Sequence, residues 1–108
     1  MAITDIKEVF TRMPEAFNAS AAQGMDAVFQ VDITEQGGGK WHVVVKDGAC
    51  QVNEGTDDTP NVTLTMSSET WLAIVNKELN GIQAFISGKL KASGDIMLAQ
   101  RIQQLFEF

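Results

Sequence analysis

Asp47-Gly48 stands between two runs of β-patterned residues, Lys40 to Lys46 and Ala49 to Glu54. An Asp-Gly pair so flanked is the strongest short hairpin signal a sequence offers, and a two-residue turn fixes the register of both strands. Lys46 must then face Ala49, Val45 face Cys50, Val44 face Gln51, Val43 face Val52 and His42 face Asn53. Side chains alternate across a strand, so Trp41, Val43, Val45, Cys50 and Val52 share one apolar face. His42, Val44, Lys46, Ala49, Gln51 and Asn53 share the other, which is mostly polar. This register separates the single histidine from the single cysteine. A Cys–His nucleophile needs both side chains in one cavity, so Cys50 reads as a small buried hydrophobe and His42 as a solvated strand residue.

The rest of the chain is organised around this hairpin. Thr4 to Asn18 carries Ile6, Val9, Phe10, Met13 and Phe17 at helical spacing, with Pro14 predicting a kink or two short helices meeting near Met13. From Asp26 the period changes to two. Phe29, Val31 and Ile33 alternate with Gln30, Asp32 and Thr34, a strand with one wet face. Gly37-Gly38-Gly39 reads as a loose hairpin tip. It lacks the strand-to-helix context of a phosphate-binding loop. After an acidic loop, Gly55 to Pro60, a fourth strand places Val62, Leu64 and Met66 on one face. Ser67 is positioned to cap a helix with Trp71, Leu72, Val75 and Leu79 as its stripe. Gly81 ends that helix, and a short helical piece around Ile82, Phe85 and Ile86 follows. Leu90 and Ala92 face inward on a fifth strand, with Lys89 and Lys91 outward. Asp95 caps a last helix whose inward side carries Leu98, Ala99, Ile102, Leu105 and Phe106. The pattern predicts a single α+β domain over residues 1–108: a five-stranded, antiparallel-rich sheet with four to five helices covering its apolar face.

Charge and composition remove whole classes of function. Residues 1–60 hold ten acids against four bases, while residues 61–108 hold four of each, so the net charge of −6 lies in the first part. Such a chain repels nucleic-acid phosphate, and no basic stripe with interleaved aromatics offsets this, so no nucleic-acid partner is expected. No apolar run approaches the roughly 20 residues of a membrane span, and Met1 to Arg12 does not resemble a signal peptide. One cysteine gives no sign of an oxidising compartment, and the cytoplasm is the expected location. Ligand spacing for a metal is missing, and Asp57-Asp58 before Pro60 reads as a solvated turn. No catalytic residue, metal or cofactor is expected. What remains is an apolar surplus that includes Phe17, Phe29, Trp71, Phe85, Ile102, Phe106 and several methionines. It reads first as an ordinary core, and it still permits an apolar cavity lined by adaptable side chains.

The second half of the chain adds a resemblance. Pro60-Asn61-Val62-Thr63-Leu64-Thr65-Met66-Ser67, then Trp71, then Ala84-Phe85-Ile86-Ser87-Gly88-Lys89-Leu90-Lys91, then Gly94-Asp95 with Leu98-Ala99 and Leu105-Phe106, resembles the sterol carrier protein type 2 family. The Lys46-Asp47-Gly48 hairpin fits as well, and the likeness extends over roughly residues 25 to 106. It implies helices that enclose an apolar tunnel, and the non-catalytic binding and transfer of sterol, fatty acid, fatty acyl-CoA or phospholipid. Carried over by position, Phe85 is the tunnel-side phenylalanine, Trp71 the large apolar residue of the preceding helix, and Met97, Leu98, Ile102 and Phe106 lie on a movable wall. The expected ligand-binding set is Phe17, Phe29, Val43, Val45, Leu64, Met66, Trp71, Val75, Phe85, Met97, Ile102 and Phe106.

Two departures bear on function. Asn76-Lys77 stands where many members have a glycine after the helix. The chain ends at Phe106-Glu107-Phe108, without the tail that covers the tunnel mouth in animal members and without a peroxisomal address. A short chain of this kind resembles bacterial members, which favours fatty acid, acyl-CoA or phospholipid over sterol. The first expectation is a lipid or fatty acyl carrier. The alternative is an accessory module that presents hydrophobic substrates to a partner enzyme. Phe106 and Phe108 are also suited to transient membrane contact or to forming a homodimer.

Overall fold

The computed structural model describes residues 5–34 and 39–106, without the side chain of Gln103. Helix α1 (Ile6–Ala16) is followed by strands β1 (Ala27–Thr34), β2 (Gly39–Lys46), β3 (Ala49–Glu54) and β4 (Val62–Ser67). Helices α2 (Ser68–Val75) and α3 (Gly81–Ile86), strand β5 (Leu90–Gly94) and helix α4 (Ile96–Leu105) complete the chain. Most of the triple-glycine tip, together with Thr4 and Phe108, lies outside the described residues.

The β2–β3 register is the one the Asp47-Gly48 turn dictates, from Lys46 opposite Ala49 to His42 opposite Asn53. Asp47 and Gly48 take φ of 54° and 74°, the left-handed pair that a two-residue hairpin turn of this type requires. The sheet as a whole departs from the expected antiparallel-rich arrangement and is mixed. Its order is β3-β2-β1-β4-β5, and β4 runs parallel to β1, with Val31 beside Leu64. The chain leaves the β3 edge, crosses two strands and lands on the far side of β1. Asn61 fastens that landing. Its Oδ1 accepts from the Val28 N–H at 2.8 Å, its own N–H donates to the Val28 carbonyl, and its carbonyl accepts from the Asp95 N–H at 2.9 Å.

One apolar layer lies between the sheet and the helices. Phe29, Val31, Val43 and Val45 are fully buried, and Val62, Leu64 and Met66 nearly so, against Val9, Phe10 and Met13 of α1. Each helix begins on a side-chain cap of an otherwise unpaired N–H. Asp5 accepts from Lys7, Ser67 from Thr70, Asn80 from Ile82, and Asp95 from both Met97 and Leu98. Pro14 does not divide α1. It lies in the last turn, where one lost hydrogen bond leaves the helix continuous to Ala16. Helix α2 stops at Val75, so Leu79 lies beyond it rather than on its stripe.

The opposite face of the sheet is drier than its alternation predicts. Gln30 is only 2% exposed because the Gly55–Asp58 loop folds back over it. Its Nε2 donates to Asp32 Oδ1 and to the Gly55 carbonyl, and its Oε1 accepts from the Asp57 N–H at 2.9 Å. The same Gly55 carbonyl lies 3.1 Å from His42 Nδ1, which leaves that ring half-buried rather than solvated.

Candidate functional site

Among the described residues, two apolar cavities lie side by side beneath the helices. The first, of about 60 Å³, lies between β4, β5 and the three later helices. Leu64, Met66, Phe85, Leu90, Ala92 and Ile96 are among its walls. The second, of about 110 Å³, lies where α1, α2 and the end of α4 meet, lined by Met13, Val75, Lys77 and Phe106. Trp71, Ile74 and Ile102 line both cavities and so form the partition between them. Each volume holds a few water molecules and falls short of the roughly 300 Å³ at which small-molecule sites begin.

The partition belongs to an aromatic stack. Phe10 lies between two indoles, with Trp41 at 4.4 Å and an interplanar angle of 10°, and Trp71 at 5.6 Å and 16°. Both indole N–H groups are buried without a hydrogen-bond partner. The stack gives the core end of α2 a rigid aromatic floor. The outer side of the first cavity is looser. Ile82 and Phe85 line it yet remain half exposed, at 50% and 45%, because α3 is a six-residue helix whose buried contact is Ala84.

The expected ligand set falls into three groups. Leu64, Met66, Trp71, Val75, Phe85, Ile102 and Phe106 line one cavity or both. Phe29, Val43 and Val45 are wholly buried core residues under α1, and Phe17 packs its ring 5.7 Å from that of Phe106. Met97 is 78% exposed. It precedes the inward stripe of α4 by one position, which turns it away from the sheet. Sequence periodicity missed Ile74, Ile96 and Lys77. Ile74 lies beside the stripe residue Val75 and Ile96 two positions before the α4 stripe begins at Leu98, and their position needs the packing of one helix on another. The signal for Lys77 was present in the departure Asn76-Lys77.

Two further groups have chemistry of their own. Cys50 is half-buried on the core face of β3, and desolvation raises its thiol from the ordinary 9.0 to about 11, so it stays protonated and poorly nucleophilic near neutral pH. His42 lies on the other face of the sheet, as the observed register requires. Among the described residues, no cluster of His, Cys, Asp and Glu is placed to hold a metal ion. No helix there is long and apolar enough to cross a membrane.

Comparison with known proteins places this geometry. Peroxisomal multifunctional enzyme type 2 of Mus musculus is 36% identical over 85 residues, covering 76% of this chain and 12% of the enzyme. Sterol carrier protein 2 of Homo sapiens is 35% identical over 81 residues, covering 72% of this chain and 15% of that protein. The chain therefore spans less than a fifth of either relative. The solution structure of palmitated SCP2L2 from Aedes aegypti superposes with a TM-score of 0.75 at 30% identity, covering 94% of this chain and 93% of that one. A five-stranded mixed sheet with four helices is thus a fold this chain shares with sterol carrier protein structures. The family model matches residues 6–107, and the chain belongs to the SCP-2 sterol transfer family.

Proposed function

We propose that this chain is a single lipid-binding domain over residues 1–108, which takes up one hydrophobic lipid and carries it without chemistry of its own. The observation that carries this reading is the partition: two apolar cavities meet at Trp71, Ile74 and Ile102. A lipid tail joins them when the α4 side of the partition, Ile102, parts from the α2 side. Each methylene buried there gains about 0.8 kcal/mol, enough over an acyl chain to offset the separation of a few side chains. Family membership and the 30% identical palmitated structure support an acyl ligand. Fatty acid, fatty acyl-CoA and phospholipid fit a site that must open along one line better than a rigid sterol does.

Native mass spectrometry of freshly purified protein, followed by organic extraction, tests the proposal. A fatty acid or phospholipid adduct is the expected result. A bare mass with no uptake of added palmitate or palmitoyl-CoA overturns it. Phe85→Trp, which enlarges a lining side chain, is expected to reduce palmitate uptake. His42→Ala, on the far face of the sheet, is expected to leave uptake unchanged.

A second reading has its own support. The match to a peroxisomal multifunctional enzyme, and the exposed apolar side chains Ile86 and Met97, favour a module that presents hydrophobic substrates to an enzyme. Copurification of a stoichiometric enzyme that remains bound after delipidation distinguishes it from the free carrier.

A further inference from the structure

Among the described residues, Lys77 is the one charged residue in the walls of either cavity. It follows the α2 C-cap, Asn76, and takes φ of 62°, in the left-handed region. The backbone there is pinned. The Lys77 N–H donates to the Ile74 carbonyl at 3.1 Å and the Glu78 N–H to the Ala73 carbonyl at 2.8 Å, the paired bonds that end a helix at a left-handed residue. Glycine or asparagine suits that position, and a strained residue persists only where its surroundings enforce it. The other described non-glycine residue with positive φ, Asp47, is accounted for by its hairpin turn. Lys77 has no such requirement from the turn itself, which glycine would satisfy without strain.

Its electrostatic setting is equally particular. The side chain is exposed, and the ion pair found among the described residues is a different one, Arg12 with Glu8. The other cations near the later helices are placed elsewhere. Arg101 donates to the Ala21 carbonyl, and neither Lys89 nor Lys91, which flank the cavity-lining Leu90, lines a cavity. A chain of net charge −6 repels an anionic ligand at long range, so a local cation at the entrance decides whether such a ligand enters.

We infer that Lys77 is the head-group end of the site. Its ammonium receives the anionic group of a single-chain amphiphile, whose tail runs through the second cavity and across the Trp71–Ile102 partition into the first. This rests on the lipid-carrier reading and deepens it by giving the ligand a charge and a direction.

Titration of palmitate and of methyl palmitate, which share a tail and differ in charge, tests the inference in the wild-type protein and in Lys77→Gly and Lys77→Arg. In low salt the wild type is expected to prefer palmitate about fivefold, the scale of one exposed ion pair. Lys77→Arg retains that preference. Lys77→Gly loses it while melting a few degrees higher, a combination that damage to the fold cannot produce. A preference that survives in Lys77→Gly overturns the inference. Equal binding of both ligands by the wild type also overturns it and leaves the carrier reading standing. Binding of neither ligand by any variant overturns both.

Discussion

A methyl group on residue 94 would lie 2.5 Å from the Asn61 carbonyl oxygen and 3.2 Å from Val62 Cα, at a backbone φ of 99°. Both neighbours are main chain and cannot swing aside. Gly94→Ala is therefore expected to destabilise the fold by about 2–4 kcal/mol, read as a lower urea midpoint, because clash and backbone strain add. Lys77→Gly has the opposite sign. Relief of a left-handed lysine is worth about 1–2 kcal/mol, against about 0.4–1 kcal/mol for the looser unfolded chain, so a net gain of about 0.5–1 kcal/mol is expected. Cys50 adds a pH dependence. Its folded thiol titrates near 11 rather than 9.0, so the folded state holds a proton that the unfolded chain has released in between. The stability due to this group is complete below pH 9 and is lost as pH rises towards 11. Urea melts across that window should show a shallower decline for Cys50→Ala than for the wild type. At this scale the sequence was legible wherever one residue type answered one local need, as with the left-handed Asp47-Gly48 pair or the inward-facing thiol at 50. It was not legible at Gln30, whose burial comes from a loop 25 residues away in sequence.

Elements obey the same division. The β2–β3 hairpin was readable to the residue because a two-residue turn transmits register without help from the rest of the chain. The caps at Ser67 and Asp95 were readable for a similar reason: a short polar side chain and the N–H groups it accepts lie within three residues. The parallel pairing of β1 with β4 was not. Nothing in Val62–Met66 states which edge the strand will join, and the choice is made by the long return over β1 and by the Asn61 contacts that fasten it. Ser67 illustrates how local signals contribute to the site. Its Oγ accepts from the Thr70 N–H at 3.1 Å and bonds the Thr70 hydroxyl, setting the start of α2 so that Trp71 falls on Phe10. Ser67→Ala is expected to cost about 1 kcal/mol of stability in thermal or urea melts and to weaken palmitate binding through the displaced partition.

Across the whole molecule, charge and apolar exposure are segregated. The acids concentrate in residues 1–60, while among the described residues the exposed large hydrophobic side chains, Ile82, Phe85, Ile86, Ile96 and Met97, all belong to α3 and the first turn of α4. Three of them, Ile82, Phe85 and Ile96, line the first cavity and give it an apolar outer rim. The cavities themselves were invisible to periodicity, which tells which side of a helix faces inward but not how closely two helices meet. Only the family likeness pointed to a space there, and two neighbouring cavities with shared walls lie in it. Ile86 and Met97, each 78% exposed, offer the larger contact with a membrane, since full burial of such a side chain is worth about 1.5–3 kcal/mol. The net charge opposes approach to anionic lipid, so the contact is best read with neutral vesicles. An Ile86→Ser, Met97→Ser double variant is expected to deliver bound palmitate to phosphatidylcholine vesicles at least about tenfold more slowly, because two such losses exceed the 1.4 kcal/mol of one decade. Its affinity for palmitate in solution and its melting temperature should stay near those of the wild type, since neither side chain belongs to the buried core. Unchanged delivery would mean that the rim meets something other than a membrane, and binding of the double variant to a partner enzyme would then be the measurement that reads it.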